Sequence, residues 1–166
     1  MKRRRRESAL NDFLEALASK KAGELTGDSF SGIDLHGESL IGVDFCGCVF
    51  DHSIFYQCDL SRADLGDTSL QNTDFRNTIL LLTKLEAANC RQAKFNDTQI
   101  TLARFNEARL IQADFSGALL QRVQFQGADL TGAMLENAML KNSDFSGADL
   151  TGVYFMPEQK SSIRKV

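Results

Sequence analysis

A chain of 166 residues that is 43% hydrophobic is long enough for one domain with its own core. Its net charge of −3 argues against a generally basic nucleic-acid binder, and no apolar run approaches the ~20 residues that a membrane span needs. The opening "MKRRRRESALNDFLEAL" is basic but has no apolar h-region, so neither a Sec nor a twin-arginine signal is expected. Residues 1–6 read as a disordered basic tail, and the run "KRRRR" is weak grounds for contact with nucleic acid or an anionic surface. Residues 7–22 place Leu10, Phe13, Leu14 and Leu17 on one helical stripe, which predicts a short α-helix that caps the rest of the domain. A partner-binding helix is the alternative.

From Leu25 to Phe155 every fifth residue is Leu or Phe, except Cys90 and Ile100. A spacing of five fits neither a helix nor a flat strand. Two positions before each of these centres lies a small residue, with Asp28, Ile33 and Glu38 as early exceptions. Residues two apart on an extended segment face the same way, so both regular positions point inward and the residue between them points out. The other two residues of each unit must turn the chain. Glycine recurs at the second position after the centre, as at Gly27, Gly117 and Gly147, where a tight corner favours it. The one proline, Pro157, lies just beyond the last centre, as expected of a residue that cannot donate to a backbone ladder.

The stretches "SRADLGD" (61–67), "GADLTGA" (127–133) and "GADLTGV" (147–153) closely resemble the A(D/N)LXX pattern of the pentapeptide-repeat family. The resemblance covers residues 25–155. It implies an all-β fold, a right-handed quadrilateral β-helix of about six or seven coils with twenty residues per coil. Stacked at roughly 4.8 Å, these coils would form a rod on the order of 30 Å long. The β-helix is expected over residues 23–156, and "PEQKSSIRKV" (157–166) reads as a disordered tail.

Little points to chemistry. His36 and His52 fall at outward positions on different sides. Cys46 falls outward while Cys48, Cys58 and Cys90 fall inward, so these ligands cannot converge on a metal. The four cysteines form no disulfide framework, and a reducing cytoplasm is the expected location, with export by a specialised secretion system left open. Aspartates one before a centre (34, 44, 59, 64, 74, 114, 129, 144 and 149) read as outward solubilising groups rather than acid–base pairs. No catalytic, cofactor-binding or metal-binding residue is assigned, and neither an enzyme nor a small-molecule substrate is expected.

With twenty residues per coil, positions twenty apart stack in columns. The face centred on Leu40, Leu60, Leu80, Ile100, Leu120 and Leu140 is unusual. Its outward positions include Ile41, Ile79, Leu81, Leu82, Leu102, Leu119 and Met139, Asp59 is its one acid, and Arg62 and Arg122 flank Leu82 and Leu102 in one column. The other faces are mostly polar. A contiguous apolar patch marks an interface more often than scattered exposed residues do. Inside, Phe55, Phe75, Phe95 and Phe115 are expected to form an aromatic ladder.

The expected function is a non-enzymatic protein–protein interaction module, a rigid solenoid that presents this face to a protein partner or to a second copy. The resemblance also implies an alternative, a DNA mimic that binds DNA gyrase or another type II topoisomerase, as some relatives protect gyrase from quinolones. Residues 76–109 carry six bases and three acids, a basic waist that interrupts the negative potential mimicry needs. A secreted bacterial effector, or an accessory subunit of an assembly, is a third reading. Binding to nucleic acid is not expected.

Overall fold

The computed structural model describes residues 10–15, 17–18 and 25–164. The expected basic tail, both ends of the expected N-terminal helix, and residues 165–166 lie outside the described residues.

The inward positions are filled as the period of five requires. The centres from Leu35 to Phe145 are buried, as are the small residues two before them from Cys48 to Ser143. Burying two of every five side chains leaves the backbone polar groups to be satisfied along the rod. Leu35 N–H donates to the Ile54 carbonyl at 2.8 Å, and Ile54 N–H donates to the Ile33 carbonyl at 2.8 Å. Parallel bridges of this kind run from Ser29↔Val49 to Asp129↔Asp149, each joining residues twenty apart. On one face they lengthen into strands β1 (Gln99–Thr101), β2 (Leu119–Gln121) and β3 (Met139–Lys141), paired in parallel with Ile100, Leu120 and Leu140 in line. Twenty residues per coil and five per side make four sides. No helix occurs among the described residues between 25 and 155.

Every corner from the residue after Leu25 onward has the same geometry. The second residue after each centre has a positive φ, from Gly27 to Gly152, and sixteen of these residues are not glycine. The corner is closed by bonds such as Cys58 N–H to the Phe55 carbonyl at 3.0 Å. The aspartates before the centres prove structural rather than merely solubilising. Each of the nine accepts the backbone N–H two residues on, as Asp34 does from His36 at 3.2 Å and Asp149 from Thr151 at 2.9 Å. This local carboxylate bond stabilises the turn.

The core is a set of vertical columns. Rings of Phe55, Phe75, Phe95 and Phe115 lie nearly parallel, with successive centroids 5.1, 4.9 and 4.7 Å apart. A second stack joins Phe105, Phe125 and Phe145. The buried threonine hydroxyls are satisfied between coils. Thr78 Oγ1 donates to the Phe55 carbonyl at 2.7 Å, Thr98 Oγ1 to Phe75 at 2.7 Å, and Cys58 Sγ to Leu35 at 2.8 Å.

The two ends close differently. At the first coil, residues 10–15 and 17–18 are helical, and Phe13 is buried with its ring centroid 5.0 Å from that of Phe30 and 6.2 Å from that of Phe50. Leu10, Leu14 and Leu17 pack on the same cluster. Asp28 and Glu38, in inward slots of this first coil, stay half-exposed at its rim. At the other end, residues 157–164 of the expected disordered tail are instead ordered. Pro157–Lys160 form one helical turn, and β5 (Ile163–Arg164) pairs in parallel with β4 (Ser143–Asp144). The reason is Gln159, which is buried. Its Nε2 donates to the Leu135 and Ala138 carbonyls at 2.7 and 2.8 Å, acceptors that the next coil would otherwise engage, and its Oε1 accepts the Met156 N–H at 2.8 Å.

Candidate interaction face

The face centred on Leu80, Ile100 and Leu120 is a fully paired wall with an unusual outer corner. Arg62 N–H donates to Leu81 O at 2.7 Å, Leu82 N–H to Thr101 O at 2.9 Å, Leu102 N–H to Gln121 O at 2.9 Å and Arg122 N–H to Lys141 O at 2.8 Å. These bonds fix Arg62, Leu82, Leu102 and Arg122 as neighbours in successive coils. Leu82 is 43% and Leu102 40% exposed, and Leu81, Met139 and Ile41 are exposed too. Ile79 and Leu119 are half-buried against the wall. The inward slots beside these corners are already filled by buried Thr78, Leu80, Thr98 and Ile100, so the corner leucines add nothing to the core.

Backbone geometry sharpens the point. Leu82 has φ 59° and Leu102 φ 57°. The left-handed region is tolerated best by Gly, Asn and Asp, and is unfavourable for a bulky side chain. At these two corners, an exposed apolar side chain and a strained backbone coincide.

The electrostatics are basic. Arg62 and Arg122 are exposed and make no ion pair among the described residues. On the adjoining side, Lys84 and Arg104 are partnered, by Asp64 and Glu86 respectively, each at 2.7 Å. Burial alone would raise the Asp64 carboxyl. The hydrogen bonds from Lys84 and the Gly66 amide outweigh it and hold the group below the usual carboxylate range. A concavity of about 470 Å³ lies beside the corner, lined by Leu102, Arg122, Val123, Gln124, Asn142 and Asp144.

Among the described residues, nothing resembling a reaction centre forms elsewhere. His36 and His52 are exposed, and His36 stacks on Tyr56 at 5.2 Å. Among the described residues, no group of three His, Cys, Asp or Glu is placed to hold a metal. The cysteines are free, and burial pushes the Cys48 and Cys58 thiols up to about 11 and Cys90 higher still. Burial, reinforced by Asp64, Asp67 and Asp44, also raises Cys46, so none is poised as a nucleophile. No helix among the described residues is long and apolar enough to cross a membrane.

A second apolar patch escaped the sequence reading. Met134 is 50% and Tyr154 73% exposed, and with Met156, Gly132 and Gly152 they line a groove of about 430 Å³ near the C-terminal end. The signal was present, because Met134 and Tyr154 each precede a centre and lie twenty residues apart on a face otherwise read as polar.

The sequence model of pentapeptide repeats matches with eight copies, over residues 29–67, 58–98, 83–122 and 118–155. No curated protein matches the chain in sequence. Among solved structures, a pentapeptide repeat protein (Rfr23) from the cyanobacterium Cyanothece 51142 is similar in fold, with TM-score 0.58 and 18% identity, covering 89% of this chain and 96% of that one. HetL, a pentapeptide repeat protein involved in heterocyst differentiation regulation from Nostoc sp. strain PCC 7120, aligns at TM-score 0.42 and 24% identity, over 92% of this chain and 75% of that one. QnrB1, a plasmid-mediated fluoroquinolone resistance protein, aligns at TM-score 0.44 and 21% identity, over 86% of this chain and 89% of that one. With repeats matched through most of its length and a coil register of twenty residues, this chain belongs to the pentapeptide-repeat family, whose fold is the right-handed quadrilateral β-helix.

Proposed function

We propose that the chain is a non-enzymatic interaction module, a rod of six to seven coils capped by its N-terminal helix. Its working surface is the face of Ile79, Leu81, Leu82, Leu102, Leu119 and Met139 with Arg62 and Arg122. The observation that carries this reading is the pair of leucines at left-handed corners. Folding does not need them there, and exposed leucine in a monomer invites aggregation. Burial against another protein offsets both penalties. Four free cysteines suit a reducing compartment such as the cytoplasm.

Two arrangements of a second copy are less favourable than a different protein. A two-fold that places Leu82 against Leu102 of a second copy brings Arg62 opposite Arg122, and one parallel to the rod brings each arginine opposite itself. Like charges so placed oppose association. The DNA-mimic reading is disfavoured by the adjoining side. Lys84 and Arg104 neutralise Asp64 and Glu86 at mid-rod, where a duplex would carry unbroken negative charge. Supercoiling assays with purified gyrase are expected to show neither inhibition nor quinolone protection at micromolar protein, and clear sub-micromolar activity would favour mimicry instead.

The direct test places a photo-crosslinking residue at position 82, or as a control at exposed His52, in the native host. Adducts from position 82 and none from 52 are expected. Equal labelling at both positions, or none at 82, would contradict this assignment of the face.

A further inference from the structure

We infer that the partner presents an amphipathic α-helix, laid along the rod axis, with two apolar residues over Leu82 and Leu102 and a carboxylate at each end over Arg62 and Arg122. This inference rests on the face being the interface.

Strand addition, the common way to dock on a sheet, needs an unpaired edge. At mid-rod there is none. Leu80 N–H already donates to Gln99 O at 2.8 Å and Leu82 N–H to Thr101 O at 2.9 Å, so the wall offers side chains only. A helix offers side chains only as well. Its spacing also fits. Successive coils rise ~4.8 Å, so Leu82 and Leu102 are separated by about that distance and Arg62 and Arg122 by about three times it, near 14 Å. On a helix, residues at i, i+4, i+7 and i+11 share one face, with the middle pair ~4.5 Å apart along the axis and the outer pair ~16 Å apart. Glu at i and i+11, with Leu at i+4 and i+7, therefore sets each side chain near its counterpart, and the long arginines take up the remaining mismatch.

Charge selects the outer residues. Lys84 and Arg104 have carboxylates within this chain, whereas Arg62 and Arg122 have none among the described residues. Arginine favours bidentate pairing with a carboxylate. The face contributes Asp59 alone as an acid, and that carboxylate already accepts the Ser61 N–H at 2.9 Å. A helix flanked by lysines would meet uncompensated repulsion at both ends.

The test uses synthetic, side-chain-stapled helices with the pattern Glu-xxx-Leu-xx-Leu-xxx-Glu and an otherwise identical Lys-flanked version, with binding to the full chain read by fluorescence anisotropy at low salt. The Glu-flanked helix is expected to bind at least tenfold tighter. The variant Arg62→Glu, Arg122→Glu is expected to invert that preference, and Leu82→Asn, Leu102→Asn to abolish binding of both helices. Equal binding, a preference for the Lys-flanked helix, no binding by the unmodified chain, or a dimer through this face in sedimentation would each overturn the inference. Native adducts at position 82 separate the two claims: if they persist while the helices fail, the face stands and the acidic-helix partner is wrong, and if they too are absent, the face itself is wrong.

Discussion

Two columns climb this rod on the same twenty-residue register, and they answer to different demands. Inside, Phe55, Phe75, Phe95 and Phe115 stack face to face and are fully buried. Outside, Arg62, Leu82, Leu102 and Arg122 occupy left-handed corners with side chains in water. Packing requires a large apolar side chain at every level of the first column, Phe in these four coils and Leu at 35 and 135. Packing leaves the second column free, and local backbone preference points away from leucine there. An apolar residue that folding neither needs nor favours is informative about function, whereas one that folding demands is not.

The largest expected effect breaks the inner column. Phe95 has ring neighbours 4.9 and 4.7 Å away on either side, so Phe95→Ala leaves a cavity that stacked coils cannot easily close, at about 3–5 kcal/mol. Chemical denaturation reads this directly, and an unchanged midpoint would remove Phe95 from the core. The next effect is at the C-terminal plug. Gln159→Ala strips the Ala138 carbonyl and the Met156 N–H of the partner Gln159 gives them, leaves the Leu135 carbonyl with the Ala138 N–H alone, and should lower stability by about 1–3 kcal/mol, with early exchange of amides in the last coil. Exchange confined to the far end would contradict that role.

A smaller effect comes from the corner carboxylates. For Asp64, Asp74 and Asp114, burial alone would raise the carboxyl, but hydrogen bonds from Lys84, Arg76, and Ser116 with Asn96, respectively, outweigh it and lower it, and bonds from Thr151 lower Asp149. A depressed folded value stabilises above the ordinary carboxylate pKa near ~4 and is lost as pH falls through the folded value. The melting temperature should therefore hold steady from pH 7 to about 5 and fall below about 4. A drop between pH 7 and 5 would assign the acid sensitivity to other groups.

The period of five, the inward centres and their small companions were legible in the sequence because each is set within one repeat and recurs without a slip. Four-sidedness came from the likeness of "GADLTGA" to a known repeat, since spacing alone does not count sides. The C-terminal plug was not legible, because Gln159 acts by standing in for a coil that does not exist, and that role appears only when Leu135 and Ala138 are in place. The turn-stabilising bonds of Asp34 and its equivalents were hidden for a related reason, since an outward carboxylate and one turned back on its own backbone look alike in sequence. Leu82 and Leu102 were visible as outward leucines, but their left-handed backbone was not, and it is the pairing of that backbone with a bulky apolar side chain that separates them from the polar residues at the other corners.

The measurement that bears most directly on this account pairs stability with binding in the Leu82→Asn, Leu102→Asn variant. Asn suits the left-handed corner better than Leu, so the variant should melt at the same temperature or slightly higher, within about 1 kcal/mol. In the same preparation it should lose the partner that crosslinks at position 82. A variant that unfolds would put these leucines in the core, and one that stays folded and keeps its partner at full affinity would show that the column is not the working face.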